Sequence, residues 1–82
     1  MINYKIDFLT FNRNQYVKSD CGDITFFNNG TDNVVINGSI TLTTGQSLTI
    51  SANYNEIDRT IYYITFPTSV APQITILRKI YI

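Results

Sequence analysis

Residues 28–51, NNGTDNVVINGSITLTTGQSLTIS, decide the fold of this chain. Three turn signals, at 28–33, 37–38 and 44–46, separate short runs of apolar and β-branched residues. Asparagine, aspartate and glycine between such runs are typical of hairpin turns. The stretch therefore predicts an antiparallel meander, to which the segments on both sides add further strands.

The alternation within this stretch predicts which side chains share a face. Successive side chains of a strand point to opposite faces, so residues of equal parity lie together. We therefore expect one buried face made by the even-numbered apolar residues, which are Ile24, Phe26, Val34, Ile36, Ile40, Leu42, Leu48 and Ile50.

The turn at residues 37–38 can be built in two ways. A two-residue loop, which Asn-Gly favours, pairs Ile36 with Ser39 and sends the next apolar residue to the wrong face. A three-residue loop pairs Val34 with Ile40 and keeps the even-numbered residues together. We prefer the longer loop, a type I turn with a glycine bulge, and expect a positive φ at Gly38; the two-residue turn stays open.

The rest of the chain predicts more strands and no convincing helix. Strands are expected at 2–11, at 15–18 on an edge, at 61–66 in a central position and at 74–82. Seven or eight short strands with regular turns indicate an all-β fold. We predict a single domain over residues 1–82, a small antiparallel β-sandwich of the immunoglobulin-like or jelly-roll-like type.

The two terminal strands are apolar on both faces, which predicts an interface. Ile6, Phe8, Ile76 and Ile80 can fill the core, so the opposite face should be the less covered one. Soluble monomers rarely leave a large contiguous apolar patch bare. We therefore expect homotrimerisation, or docking onto a larger protein, through a candidate interface of Leu9, Phe11, Leu77 and Tyr81.

Composition argues against several classes of function. Six basic and six acidic residues give zero net charge, which favours neither nucleic acid nor a membrane surface as a partner. The chain has no histidine and one cysteine, so the usual thiol or metal chemistry has no residues to build on. The N-terminal residues lack the apolar core of a secretory signal. We expect no enzymatic activity, no metal and no cofactor.

Two sets of polar residues have a functional and a structural interpretation. The acidic residues could bind calcium, but capping loop backbones is the expected role of Asp20, Asp23, Asp32, Glu56 and Asp58. Four tyrosines could form a platform for a sugar ring, although tyrosine in strands usually packs at a core edge with its hydroxyl in water. These are Tyr54, Tyr62, Tyr63 and Tyr81.

An ordered series of short motifs resembles small β-structured proteins of phages that infect Bacteroidetes, crAss-like phages included. The resemblance covers about residues 24–66. Its pieces are Asn29-Gly30-Thr31, Val34 to Asn37, Leu42, Gly45 to Ile50, Asn55 to Asp58, and Tyr63 to Phe66.

The resemblance implies a role in the virion. It suggests a capsid or tail accessory protein that is made in the host cytoplasm and contacts other virion proteins, and it carries over no catalytic residue. The alternative is a receptor- or glycan-binding module of a phage fibre.

Overall fold

The computed structural model describes residues 3–53, 56–68 and 70–82. Ile2 and Tyr54, which the sequence assigns to the first strand and to a sugar platform, lie outside the described residues. No helix in the described ranges is long and apolar enough to cross a membrane. The strands are β1 (Tyr4–Phe11), β2 (Gln15–Lys18), β3 (Asp23–Phe27), β4 (Val34–Ile36), β5 (Ile40–Leu42), β6 (Ser47–Ser51), β7 (Ile61–Thr65) and β8 (Ile74–Tyr81).

The strands form two four-stranded antiparallel sheets. The first sheet has the order β1-β8-β3-β6 and the second the order β2-β7-β4-β5. First pairs with last, second with seventh, third with sixth and fourth with fifth, so the chain is a long antiparallel ribbon folded over itself. This nested order is that of a jelly roll, an eight-stranded fold of two sheets. The all-β, sandwich-like prediction is confirmed, and of its two variants the jelly roll matches the strand order.

The predicted meander is wrong, because only β4 and β5 form a hairpin within the central stretch. β3 and β6 pair with each other in the first sheet, while β4 and β5 lie in the second. Asn28 is buried where the chain crosses between the sheets, and its side-chain amide donates to the carbonyls of Asp32 (2.8 Å) and Leu42 (2.9 Å). Its backbone bonds the turn before β6, accepting from Gly45 (2.8 Å) and donating to Gln46 (3.0 Å). Asn28 therefore stabilises both crossings between the sheets, from β3 to β4 and from β5 to β6.

The turn at the tip of the ribbon combines features of both predicted forms. Ser39 donates its backbone N–H to the carbonyl of Ile36 at 3.2 Å, as in the two-residue Asn-Gly turn, but it is not the ladder partner of Ile36. The register pairs Ile36 with Ile40, so the loop has three residues but lies one position later than expected. Asn37 and Gly38 both have positive φ, 53° and 69°, which matches a type I′ turn and not a type I turn with a glycine bulge. Asn37 also bonds both backbone groups of Tyr63, donating from its backbone and accepting with its side chain. These two hydrogen bonds to β7 hold Asn37 in the left-handed conformation. The expected positive φ of Gly38 is confirmed.

The core lies between the sheets and contains most of the predicted even-numbered residues. Val34, Ile36 and Leu42 are buried, and Leu48 and Ile50 pack against the core from the edge strand β6. Ile40 is the exception, with 42% of its surface exposed. It begins the short edge strand β5 directly after the turn, where the first sheet does not cover it. The remaining buried apolar residues are Val17, Cys21, Ile24, Phe26, Tyr62, Ile64, Phe66, Ile74 and Ile76.

Candidate interaction surface

The outward side of β1 is the opposite of the predicted one. β1 and β8 pair so that Leu9 lies opposite Ile76 and Phe11 opposite Ile74. Paired residues share a face, so Leu9 and Phe11 point inward, and both pack against the core. The expectation that these two residues lie on the less covered face is therefore wrong.

The physical reason is the register of the two terminal strands. Paired positions in β1 and β8 sum to an odd number, so odd residues of β1 share a face with even residues of β8. The prediction places even residues of both strands together. One signal was available: Asp7 is the acidic residue of β1 and Arg78 interrupts the apolar face of β8, and pairing these opposite charges sets the register. Arg78 donates to Asp7 through its Nε at 3.0 Å and through a second, shorter bond.

Leu77 and Tyr81, the other two predicted interface residues, do lie on the outward side of the first sheet. Both are half-buried there. Leu77 sits between Phe8 on β1 and Thr25 on β3. The ring of Tyr81 lies against Gly22, where an added Cβ would meet its hydroxyl oxygen at 2.9 Å.

Two of the residues left exposed on this side, Ile6 and Phe8, are predicted to fill the core. Phe8 is 66% exposed, Tyr4 54% and Ile6 44%, all on the edge strand β1. Phe27 on β3 adds a fourth exposed apolar side chain. We name this surface the β1–β8 apolar face and define it by Tyr4, Ile6, Phe8, Phe27 and Leu77.

A single lysine supplies charge within this face. Lys79 lies opposite Ile6, and its Nζ is 4.8 Å from the ring centre of Tyr4 and 5.7 Å from that of Tyr81. Such cation–π contacts hold an ammonium group against aromatic rings. The face is therefore apolar around Phe8 and positively charged towards the start of β1.

The tyrosines proposed as a sugar platform do not come together. Tyr62 is buried and points into the sandwich, Tyr63 lies on the outward side of the second sheet, and Tyr81 lies on that of the first. Tyr63 instead stacks with Tyr16 at 4.4 Å between ring centres and 25° between planes. Tyr16, which is not among the four tyrosines of the predicted platform, is paired with Tyr63 across the β2–β7 ladder.

A polar cluster joins the loop before β3 to the start of β7, where the hydroxyl of Ser19 bonds the backbone carbonyls of Asp58 and Thr60. Asp58 accepts hydrogen bonds from the backbone of Thr60 (2.8 Å) and the hydroxyl of Tyr62 (2.7 Å). Burial opposes ionisation of Asp58, but the bonds from Thr60 and Tyr62 outweigh it and lower the pKa of the carboxyl. Burial, and then the bond to Asp58, raises the pKa of Tyr62 to about 12. The cluster stabilises the loop that leads into β7.

The thiol of the neighbouring Cys21 is buried, and this burial makes it unreactive. Burial raises the pKa of Cys21 to about 11, although the charge of Arg78 acts in the opposite direction. The thiolate is the reactive form of cysteine, and little of it exists near neutral pH when the pKa is that high.

Four of the five acidic residues bond backbone groups, as expected, but not always in their own loop. Glu56 accepts from Asn53, within its own loop, whereas Asp23 accepts from Ala52 on a neighbouring segment. Asp32 holds the segment before β8 by accepting from Val70 (2.9 Å) and Ala71 (3.2 Å). Among the described residues no three side chains of metal-binding type converge.

A shallow groove lies at one end of the sandwich, between the β1–β2 turn and the segment before β8. It encloses about 440 Å³ and is lined by Asn12, Arg13, Asn14, Phe66 and Pro72. A second depression of about 380 Å³ continues it along Thr10 and Gln73. Loops at the end of a rigid scaffold are a common place for ligand binding. The groove offers amide and guanidinium donors beside an aromatic ring.

The comparisons with known proteins find no match, so the function must be argued from the geometry. The chain matches no protein-family model, and neither the curated proteins nor the solved structures include a significant match to it.

Proposed function

We propose that this protein is a non-enzymatic structural component of a phage particle, an accessory protein of the capsid or tail. It acts through protein–protein contacts and is built into the virion after synthesis in the host cytoplasm. No nucleic acid or membrane is a direct partner in this proposal. The observation that carries it is the β1–β8 apolar face.

The chemistry of this face supports a protein partner. Phe8 and Ile6 have no polar atom in their side chains, so their exposure to water is unfavourable and is relieved when a partner covers them. Aromatic residues are enriched in the cores of protein interfaces, and Tyr4, Phe8 and Phe27 provide three of them. The jelly-roll strand order adds support by analogy, because viral capsid and lectin domains use it.

The proposal is tested first on purified particles of the phage that encodes the chain. Mass spectrometry should find the protein at a fixed copy ratio to the major shell or tail protein, and a cryo-EM map should contain its two sheets. Absence of the chain from particles that are otherwise complete would overturn the proposal.

A pair of matched variants then tests which face docks. Ile6→Ser on the β1–β8 apolar face should reduce incorporation into particles. Ile61→Ser is the control, because Ile61 is a similarly exposed isoleucine, 54% against 44%, on the outward side of the second sheet. Equal incorporation of both variants would exclude the β1–β8 apolar face as the docking surface.

The second candidate is a glycan-binding module of a phage fibre, and the end groove favours it. Asn12, Arg13 and Gln73 offer donors suited to sugar hydroxyls or carboxylates, with Pro72 as an apolar floor. Saturable binding on a glycan array that is lost in Arg13→Ala, and kept in Arg59→Ala, would support this function over the first. Absence of any glycan binding would exclude it.

A further inference from the structure

The four edge strands of the sandwich differ in length and in what they present. β2, β5 and β6 have four, three and five residues, whereas β1 has eight. Short edges protect a sheet against pairing with another chain, and a long one presents a row of backbone donors and acceptors. β1 is also the edge of the β1–β8 apolar face.

The backbone of β1 directs alternate residues to the free edge. Ile82 donates its backbone N–H to the carbonyl of Asn3 at 3.0 Å. Bonded and non-bonded pairs alternate in an antiparallel ladder, so odd-numbered residues of β1 bond β8. The backbone groups of Tyr4, Ile6 and Phe8 therefore point away from the sheet.

The charges of β1 decide which partner fits this edge. Lys5 and Asp7 lie on the inward side, one exposed and one half-buried. Inward charges at an edge normally discourage pairing, because an added strand would bury them without a counter-charge. A second β1 placed antiparallel with Ile6 opposite Ile6 brings each Lys5 opposite the other copy's Asp7. The two charges that protect the edge of a single copy then form oppositely charged pairs between the two copies.

Other registers of the same pairing are unfavourable. Only even shifts keep the two apolar faces on one side of the joined sheet. A shift in one direction places Lys5 opposite Lys5, and a shift in the other places Asp7 opposite Asp7. Like charges directly opposite each other are destabilising.

The favoured register also agrees with the backbone and the apolar side chains. Ile6 opposite Ile6, and Tyr4 opposite Phe8, become bonded pairs whose side chains all lie on the apolar face. Lys5 and Asp7 become non-bonded pairs, in which side chains are closest. Both bonds from Arg78 use Oδ2 of Asp7, so Oδ1 takes no bond from Arg78.

We propose that two copies of this protein pair through β1, antiparallel about Ile6, to form one continuous eight-stranded sheet. The pairing joins two β1–β8 apolar faces into a single surface. The inference deepens the proposed function and rests on it for its biological role, since the joined face is the surface that would dock in the particle.

Charge reversal with cross-complementation tests the pairing. Sedimentation of the purified protein at micromolar concentration should show a dimer. Lys5→Glu should weaken it by about tenfold or more, because two symmetric pairs become repulsive. Asp7→Lys should weaken it similarly. An equimolar mixture of the two variants should dimerise again, since both cross-strand pairs are then opposite in charge. Lys18→Glu, which changes an exposed lysine on β2, is the matched control and should remain dimeric.

Each outcome decides the proposal. A monomeric wild-type protein, or a dimer that Lys5→Glu leaves unchanged, overturns it. Unfolding of Asp7→Lys, which also loses its Arg78 partner, leaves the Lys5→Glu result decisive. Protection of the Ile6 and Phe8 amides from hydrogen exchange on dimerisation supports it, and exchange unaltered at both overturns it. A dimer that is absent from particles contradicts the proposed function alone, whereas a monomer found in particles contradicts this pairing alone.

Discussion

The outward sides of the two sheets each carry a highly exposed aromatic side chain, but the two side chains differ in chemistry. Tyr16 on the second sheet is 68% exposed and Phe8 on the first is 66% exposed. Tyr16 stacks on Tyr63 and carries a hydroxyl that water can bond. Phe8 has only apolar atoms, and its cross-strand neighbour Leu77 is itself apolar. Exposure alone therefore does not distinguish the two surfaces; the chemistry of the exposed side chains does.

This difference separates stability from association. The stacked tyrosines already make their contact within one chain, so their removal should affect folding. The β1–β8 apolar face leaves its largest side chains uncovered, so their removal should affect binding more than folding. Measurements on Phe26, Phe8 and Tyr16 test this separation.

The largest effect is expected from comparing the two phenylalanines on opposite sides of the first sheet. Phe26 is fully buried and packs edge-on against Tyr62 at 5.1 Å, so Phe26→Ala should lower the free energy of unfolding by about 3–5 kcal/mol. Phe8→Ala should change it by no more than about 0.5 kcal/mol, because exposed substitutions rarely do more. Urea denaturation of both variants measures the difference, with association kept negligible by dilution. A Phe8→Ala loss near that of Phe26→Ala would show that the face is part of the folded core.

The inner side of the first sheet was only partly predictable from the sequence. Parity within 24–50 identified the buried residues of β3 and β4, because the pairing of β3 with β6 and that of β4 with β5 both join residues of equal parity. Parity could not relate β1 to β8, since nothing local fixes the pairing of strands about seventy residues apart. The Asp7–Arg78 ion pair does fix it, and it is visible in the sequence only if two charges are assumed to meet.

The topology and the turn illustrate a second limit. Turn residues showed where strands end, but not that 28–33 and 43–46 cross to the other sheet. That crossing depends on the buried bonds of Asn28, whose partners are up to eighteen residues away. In the same way, the shape of the 37–38 turn depends on Tyr63, a residue of another strand. Local propensity therefore predicted where the crossings and the 37–38 turn lie, but their conformations depend on tertiary hydrogen bonds.

A smaller effect is expected on the outward side of the second sheet. Tyr16→Ala removes the stack with Tyr63 and should lower the free energy of unfolding by about 0.5–1.5 kcal/mol. It should leave the sedimentation of the protein unchanged, which is the opposite of the result expected for Phe8→Ala. Tyr16→Phe, which keeps the ring, is the control and should retain most of the stability. Altered association in Tyr16→Ala would contradict the separation of the two faces.

The smallest effect should come from acid, at the end of the second sheet. Asp58 has a pKa lowered from its ordinary value of 3.8, because bonds from Thr60 and Tyr62 outweigh its burial. A lowered folded-state pKa contributes stability above the unfolded value, and that contribution is lost as the pH falls through the folded value. The side chain is partly exposed and screened, so the loss should stay below about 1 kcal/mol.

Asp58→Asn removes the titrating group and should flatten the pH dependence of unfolding below about pH 4. Asp20→Asn is the matched control, because Asp20 is exposed and has a positive φ of 41°, which asparagine also tolerates. Urea denaturation from pH 7 down to about pH 3 measures the slopes. The wild type and Asp20→Asn should lose stability in parallel, with Asp58→Asn starting lower and losing less. Identical slopes in all three proteins would mean that Asp58 contributes nothing to holding Tyr62 and β7.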